Sequence, residues 1–200
     1  MQEAIHHLRR QDPVMAGIID RVGEYRIQFR DPDFETLVKS IVFQQLSGRV
    51  ANVIFGRLAT AAGGKLTPAA VLKLRPSRMR SLGLSTQKTA YIRDLARHAR
   101  DGAICFEELD ALPDHEVIAL LTRVKGIGVW TVHMFLIFAL RRLDVLPTGD
   151  LGIRNAIRRA YNLRELPAPR EMETMAERWR PYCTVASWYL WRSIEPNANL

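Results

Sequence analysis

Apolar residues recur at helical spacing along most of this chain. FETLVKSIVFQQL, beginning at Phe34, places them at 34, 37, 38, 41, 42 and 46, close to the 3.6-residue period of a helix with one buried face. Residues 50–62 continue as a second helix, which Gly63-Gly64 stops. Thr67-Pro68 reads as an N-cap with proline at the first helical position, and Arg75-Pro76 opens another short helix. SLGLSTQKTAYIRDLARHA breaks at Gly83 and resumes, and Pro113-Asp114 starts a helix reaching about Val124. Residues 129–143 give the most apolar helix, predicted to be the central one. After LPTGD the pattern predicts helices over 150–161, near 170–180 and over 182–194. The one β-like alternation, Tyr25 to Phe29, is short. The expectation is an all-α fold of about ten helices. No low-complexity linker divides the chain, so residues 1–200 are read as one compact domain or two helical lobes sharing a core.

Composition adds bounds to this pattern. With 48% apolar and 25% charged residues, the chain falls in the soluble globular class. The longest apolar run, 132–140, is too short to span a bilayer, so no membrane partner is expected. The polar start MQEAIHHLRR lacks the apolar core of a secretory signal, which points to an intracellular place, cytoplasmic in a bacterium. Cys105 and Cys183 stand far apart and fit neither a disulfide framework nor a metal site.

Charge changes the picture more. The net charge is +8, yet no Asp or Glu occurs from Thr36 to Arg93. That segment carries Lys39, Arg49, Arg57, Lys65, Lys73, Arg75, Arg78, Arg80, Lys88 and Arg93, so it supplies all the excess positive charge. A contiguous basic segment is the footprint of a polyanion-binding face, with nucleic acid first among partners.

VKGIGVWT, residues 124–131, stands just before the most apolar run. Gly126 and Gly128 permit left-handed backbone angles and close approach of a partner. The helix that follows presents N–H groups without intrahelical partners, and its dipole favours an anion. With Lys125 at the turn, a nucleic-acid phosphate is the anion that suits the basic segment.

LTRVKGIGVWTVHMFLIFAL followed by LPTGDLGIRNAI resembles the helix-hairpin-helix DNA glycosylase superfamily, and most closely its 3-methyladenine DNA glycosylase II branch. The resemblance covers roughly residues 30–195. It implies a helix-hairpin-helix over about 116–140 and an active-site cleft between the lobes. It implies Asp150, after Pro147-Thr148-Gly149, as the catalytic residue. The sequence itself supports Asp150 as a helix N-cap, although Ile153 stands where a capping box has Glu or Gln. Asp144, beside Arg141 and Arg142, is a rival expected to be solvated.

Lyase members of the superfamily carry a lysine nucleophile just past the hairpin. Here that position is Trp130, which cannot form a Schiff base. The resemblance therefore implies a monofunctional enzyme that hydrolyses the N-glycosidic bond of alkylated bases such as 3-methyladenine and 7-methylguanine. It places Trp130, Met134 and Trp191 at the base pocket, Trp130 and Met134 sharing one helix face by their four-residue spacing. Indole faces suit a cationic purine, whereas Trp179 and Trp188 are expected in the core. The resemblance implies that FQQLSGR carries the wedge filling the gap left by the flipped nucleotide, at Gln45 or Leu46. Lys125, Gly126, Gly128, Thr131, Ser47 and Arg49 are expected on the DNA backbone.

No cofactor is required on this reading. The resemblance allows a monovalent cation at the hairpin carbonyls, and an iron–sulfur cluster is excluded by the two cysteines. The expected partner is double-stranded DNA containing damaged bases, met by a monomer. The extra N-terminal β-rich domain of larger branch members is not expected here, which leaves the lesion range open. The competing readings are a glycosylase for deaminated or mismatched bases and a non-catalytic helix-hairpin-helix DNA-binding module.

Overall fold

The computed structural model describes residues 1–195. Its α-helices are α1 (Gln2–Gln11), α2 (Pro13–Val22), α3 (Phe34–Phe43), α4 (Gly48–Ala61), α5 (Pro68–Lys73) and α6 (Pro76–Ser81). They continue with α7 (Thr86–Arg100), α8 (Asp114–Leu121), α9 (Val129–Phe138), α10 (Leu151–Ala160), α11 (Pro169–Ala176) and α12 (Cys183–Ile194). Short 3-10 segments span Phe106–Ala111 and Glu177–Trp179. No strand occurs among the described residues, and Tyr25 to Phe29 has no regular secondary structure. The chain divides into two compact units, Arg30–Phe135 and Met1–Phe29 with Leu136–Leu200. The boundary falls inside α9, the helix that the apolar pattern marked as central.

In the Arg30–Phe135 unit, α7 packs against α3, α5 and α6. Its buried residues Ile92, Leu95 and Ala96 follow helical spacing. Local chemistry sets the boundaries. Gly63 and Gly64 take φ of 93° and 95° at the end of α4, and Thr67 caps α5 through the Ala70 N–H. α3 stops at Phe43, three residues before its apolar periodicity ends, because Gln44 leaves helical angles and Gln45 takes φ 56°. α8 likewise ends at Leu121 rather than near Val124.

The other unit is built on α12, where every residue from Cys183 to Trp191 is buried. Helices α2 and α10 pack on it. Trp179 and Trp188 belong to this core, at 0% and 2% exposure. Asp12 is also fully buried. It caps α2 through the N–H groups of Val14 and Met15, and it accepts bonds from Tyr161 Oη at 2.5 Å and Trp179 Nε1 at 2.9 Å. A buried carboxylate is tolerated when such donors replace its water. α9 ends at Phe138 rather than near residue 143, since Arg141 adopts φ 57° and Arg142 donates its N–H to the Leu136 carbonyl.

Candidate active site

The Leu146–Gly149 turn delivers Asp150 to the start of α10. Thr148 N–H bonds to the Leu146 carbonyl and Asp150 N–H to the Pro147 carbonyl, each at 2.9 Å. Asp150 is extended (φ −80°, ψ 118°), and its Oδ1 accepts the Ile153 N–H at 2.8 Å. The same oxygen accepts Trp191 Nε1–H at 2.9 Å. Trp191 is only 8% exposed, and its ring stacks on Phe138 with centroids 5.9 Å apart. Two donors from different helices thus fix the plane of a half-buried carboxylate. Gly152 leaves room for the pair, because a Cβ there would lie 3.0 Å from Asp150 Oδ1 and 3.3 Å from Trp191 Cδ1 and would press on both.

Asp144 has a different occupation. Its Oδ2 accepts Arg180 at 2.7 Å and its Oδ1 accepts the Cys183 N–H at 3.2 Å, so its partners are Arg180 and the start of α12 rather than its neighbours in sequence. Burial alone would raise its pKa, but the bonds from Cys183 and Arg180 together hold it below the ordinary carboxylate value.

The segment from α8 to α9 forms a helix-turn-helix hairpin. Val124 N–H bonds to the Leu121 carbonyl and Ile127 N–H to the Val124 carbonyl, and the Ile127 side chain is buried. Gly126 has φ 84°, and a Cβ there would run into the Tyr91 ring. Gly128 differs from the expectation of two left-handed glycines. Its φ is not positive, and a Cβ would meet nothing within 4 Å. Lys125 is exposed, while its backbone N–H bonds to Asp94 Oδ2 at 3.0 Å. Asp94 also pairs with Arg97. Thr131 is 6% exposed, Met134 is half-buried and Trp130 is 48% exposed.

The carbonyls of Leu121, Val124 and Gly126 each accept an N–H donor, from Val124, Ile127 and the Gln44 side chain. Each oxygen keeps a second lone pair beyond the bond it accepts. Among the described residues no group of three or more His, Cys, Asp or Glu forms a metal site.

The turn after α3 contains Gln45 and Leu46, both exposed, followed by the exposed Ser47 and Arg49. Behind it lie two residues that sequence reasoning missed. Gln44 Nε2 donates to the Gly126 carbonyl at 2.9 Å. Lys88 Nζ donates to the carbonyls of Val42 at 2.7 Å and Gln44 at 2.6 Å. Arg93 similarly caps α5 through the Leu72 and Leu74 carbonyls, and Lys39 lies over the rings of Phe43 and Phe55. Three of the ten cations in the acid-free segment therefore have partners within the chain. Arg49, Arg57, Lys65, Lys73, Arg75, Arg78 and Arg80 are exposed.

A family model described as HhH-GPD superfamily base excision DNA repair protein matches residues 38–181. The chain belongs to the HhH-GPD superfamily. The HhH-GPD match contains the hairpin and Asp150, while Trp191 lies beyond it. The chain is 35% identical over 194 residues to DNA-3-methyladenine glycosylase 1 of Schizosaccharomyces pombe, covering 94% of this chain and 85% of that protein. It superposes with a TM-score of 0.83 on a structure of the S. pombe 3-methyladenine DNA glycosylase Mag1 in complex with abasic DNA, at 35% identity and 95% coverage of each chain. A Bacillus halodurans DNA-3-methyladenine glycosidase structure gives a TM-score of 0.88 at 36% identity, with 95% of this chain and 88% of that one covered. This HhH-GPD chain thus resembles 3-methyladenine enzymes over nearly its whole length. No described helix is long and apolar enough to cross a membrane.

Proposed function

We propose that this protein is a DNA glycosylase of the 3-methyladenine type, which binds double-stranded DNA and releases alkylated bases by hydrolysis. The observation that carries the reading is the Asp150 carboxylate, oriented by Ile153 N–H and Trp191 Nε1–H at the start of the helix that follows the hairpin of an HhH-GPD chain. A base must leave the duplex before its glycosidic bond can be reached. As the C1′–N bond breaks, the electron pair leaves with the base and positive charge develops on the sugar. Asp150 stabilises that charge and accepts a proton from the water that forms the new C1′–O bond. A cationic purine departs neutral, so one carboxylate suffices.

Trp130 and Met134 are proposed to contact the flipped base, with Trp191 both orienting Asp150 and contributing to the pocket. Gln45 or Leu46 is proposed as the wedge. Lys125, the hairpin N–H groups around Gly126, Gly128 and Thr131, and Ser47 with Arg49 are proposed to hold the phosphates. A monovalent cation on the hairpin carbonyls would add positive field for a phosphate. With an indole at position 130 no Schiff base forms, so the strand remains intact.

The test is release from methylated duplex, with products separated by chromatography and strands examined before and after alkali. The expected result is free 3-methyladenine and 7-methylguanine, with breaks only after alkali. Release from uracil- or hypoxanthine-containing duplex but not from methylated DNA would reassign the substrate. No release from any duplex, with binding intact, would leave a DNA-binding module.

A further inference from the structure

Three residues at three-residue spacing on α7, Lys88, Tyr91 and Asp94, each hold a part of the two turns read as touching DNA. Lys88 binds the Val42 and Gln44 carbonyls, the Tyr91 ring lies against Gly126, and Asp94 binds the Lys125 N–H. Gln44 then joins the turns directly through the Gly126 carbonyl. The carbonyls that Lys88 takes lie at the C-terminus of α3, where the helix dipole is negative and a cation is favoured. The acceptors Lys88 uses are backbone oxygens rather than a carboxylate. Just past this anchor Gln45 sits at φ 56°, an angle that a residue other than glycine holds only when its surroundings impose it.

We propose that Lys88 is a positioning residue for base extrusion, clamping the Gln45–Leu46 turn against the hairpin rather than binding a DNA phosphate. This rests on the reading of Gln45 or Leu46 as the wedge. A wedge works against base stacking, so a turn free to yield would give way before the nucleotide leaves the helix. Lys88 supplies the rigidity from behind while its ammonium faces the protein. The basic segment is therefore divided between cations that meet the polyanion and cations that shape the surface meeting it.

The two roles differ in salt dependence. A lysine that neutralises a phosphate contributes about 0.9 to the slope of log K against log salt concentration, and a brace contributes none. We expect Lys88→Met to keep the wild-type slope on undamaged duplex. The same variant should lose the fluorescence rise of 2-aminopurine placed beside the lesion, and should release alkylated base at least about tenfold more slowly. Arg49→Ala should lower the slope by about 0.9. Lys88→Arg, which keeps a charged donor, should recover part of the extrusion signal. If Lys88→Met fails to fold, Gln44→Ala removes the link to Gly126 without uncapping α3 and should slow extrusion in the same way. A slope lowered by about 0.9 in Lys88→Met, or unchanged extrusion in both Lys88→Met and Gln44→Ala, would overturn the proposal. The extrusion and salt measurements do not require base release, so the role of Lys88 is tested even if the chain has no glycosylase activity.

Discussion

Trp191 and Asp150, 41 residues apart in sequence, meet through an indole N–H that donates to the same carboxylate oxygen the α10 N-terminus uses as its cap. A cap alone fixes a carboxylate to the first turn of its own helix. The second donor comes from α12, whose buried run from Cys183 to Trp191 anchors it in the core. The orientation of Asp150 is thus set by tertiary packing as well as by local sequence.

Gly152 leaves room beside this meeting. Gly152→Ala favours the helix by roughly 0.5–1 kcal/mol on propensity alone. Its Cβ, however, presses on Asp150 Oδ1 and Trp191 Cδ1. The expected result is base release about tenfold slower, with a melting temperature that does not fall. Single-turnover rates and thermal unfolding on one preparation check both parts. A slower rate accompanied by a matching loss of stability would assign Gly152 a purely structural role.

The hairpin glycines are predicted to differ. Gly126→Ala forces a Cβ into the Tyr91 ring at φ 84°, and the left-handed angle alone costs about 1–2 kcal/mol. Gly128→Ala meets no protein atom and should cost less than about 1 kcal/mol, yet weaken duplex binding if the hairpin holds a phosphate as proposed. Denaturant unfolding and a binding titration on the two variants separate these outcomes.

Much of the fold was legible because its signals are local. Gly63-Gly64, Thr67-Pro68 and the N-cap at Asp150 act within a turn of themselves, and the structure places a boundary at each. Asp12-Pro13, which follows the same pattern as Thr67-Pro68, separates α1 from α2 and was equally available. What was not legible is long-range. Gln44 reaches the hairpin across 82 residues and Lys88 reaches Gln44 across 44, and no spacing in the sequence announces either. Lys88 and Arg93 counted as surface charge because composition records a cation without its partner. Gly128 counted as a left-handed turn residue because sequence does not distinguish a glycine needed for its angle from one needed for open space.

Asp12 should be a stability residue alone. Asp12→Ala leaves Trp179 Nε1 and Tyr161 Oη without their acceptor, and each buried group left unpaired costs about 1–3 kcal/mol. A total near 4 kcal/mol lowers the melting temperature of a chain this size by about 10 °C. Calorimetry should show that loss, while the release rate per folded molecule stays at the wild-type value.

The Asp144–Arg180 pair predicts a pH dependence. A carboxyl held below its unfolded pKa adds stability above that unfolded value, near 4, and the contribution disappears as pH falls through the lower folded value. Asp144→Asn should therefore be less stable than wild type near neutral pH, with the gap closing in acid below about pH 4. Melting curves across that range check the sign. A gap that widens in acid would contradict it.

The charge on Asp150 is proposed to carry out the chemistry, and Asp150→Asn isolates it. Asparagine is as good an N-cap as aspartate, and its carbonyl oxygen can still accept Ile153 N–H and Trp191 Nε1–H. Fold and duplex affinity should survive. Single-turnover release of 3-methyladenine from methylated duplex should fall by about 10³-fold or more, the scale on which electrostatic groups act in enclosed sites. Release within about tenfold of wild type would contradict a catalytic role for that charge.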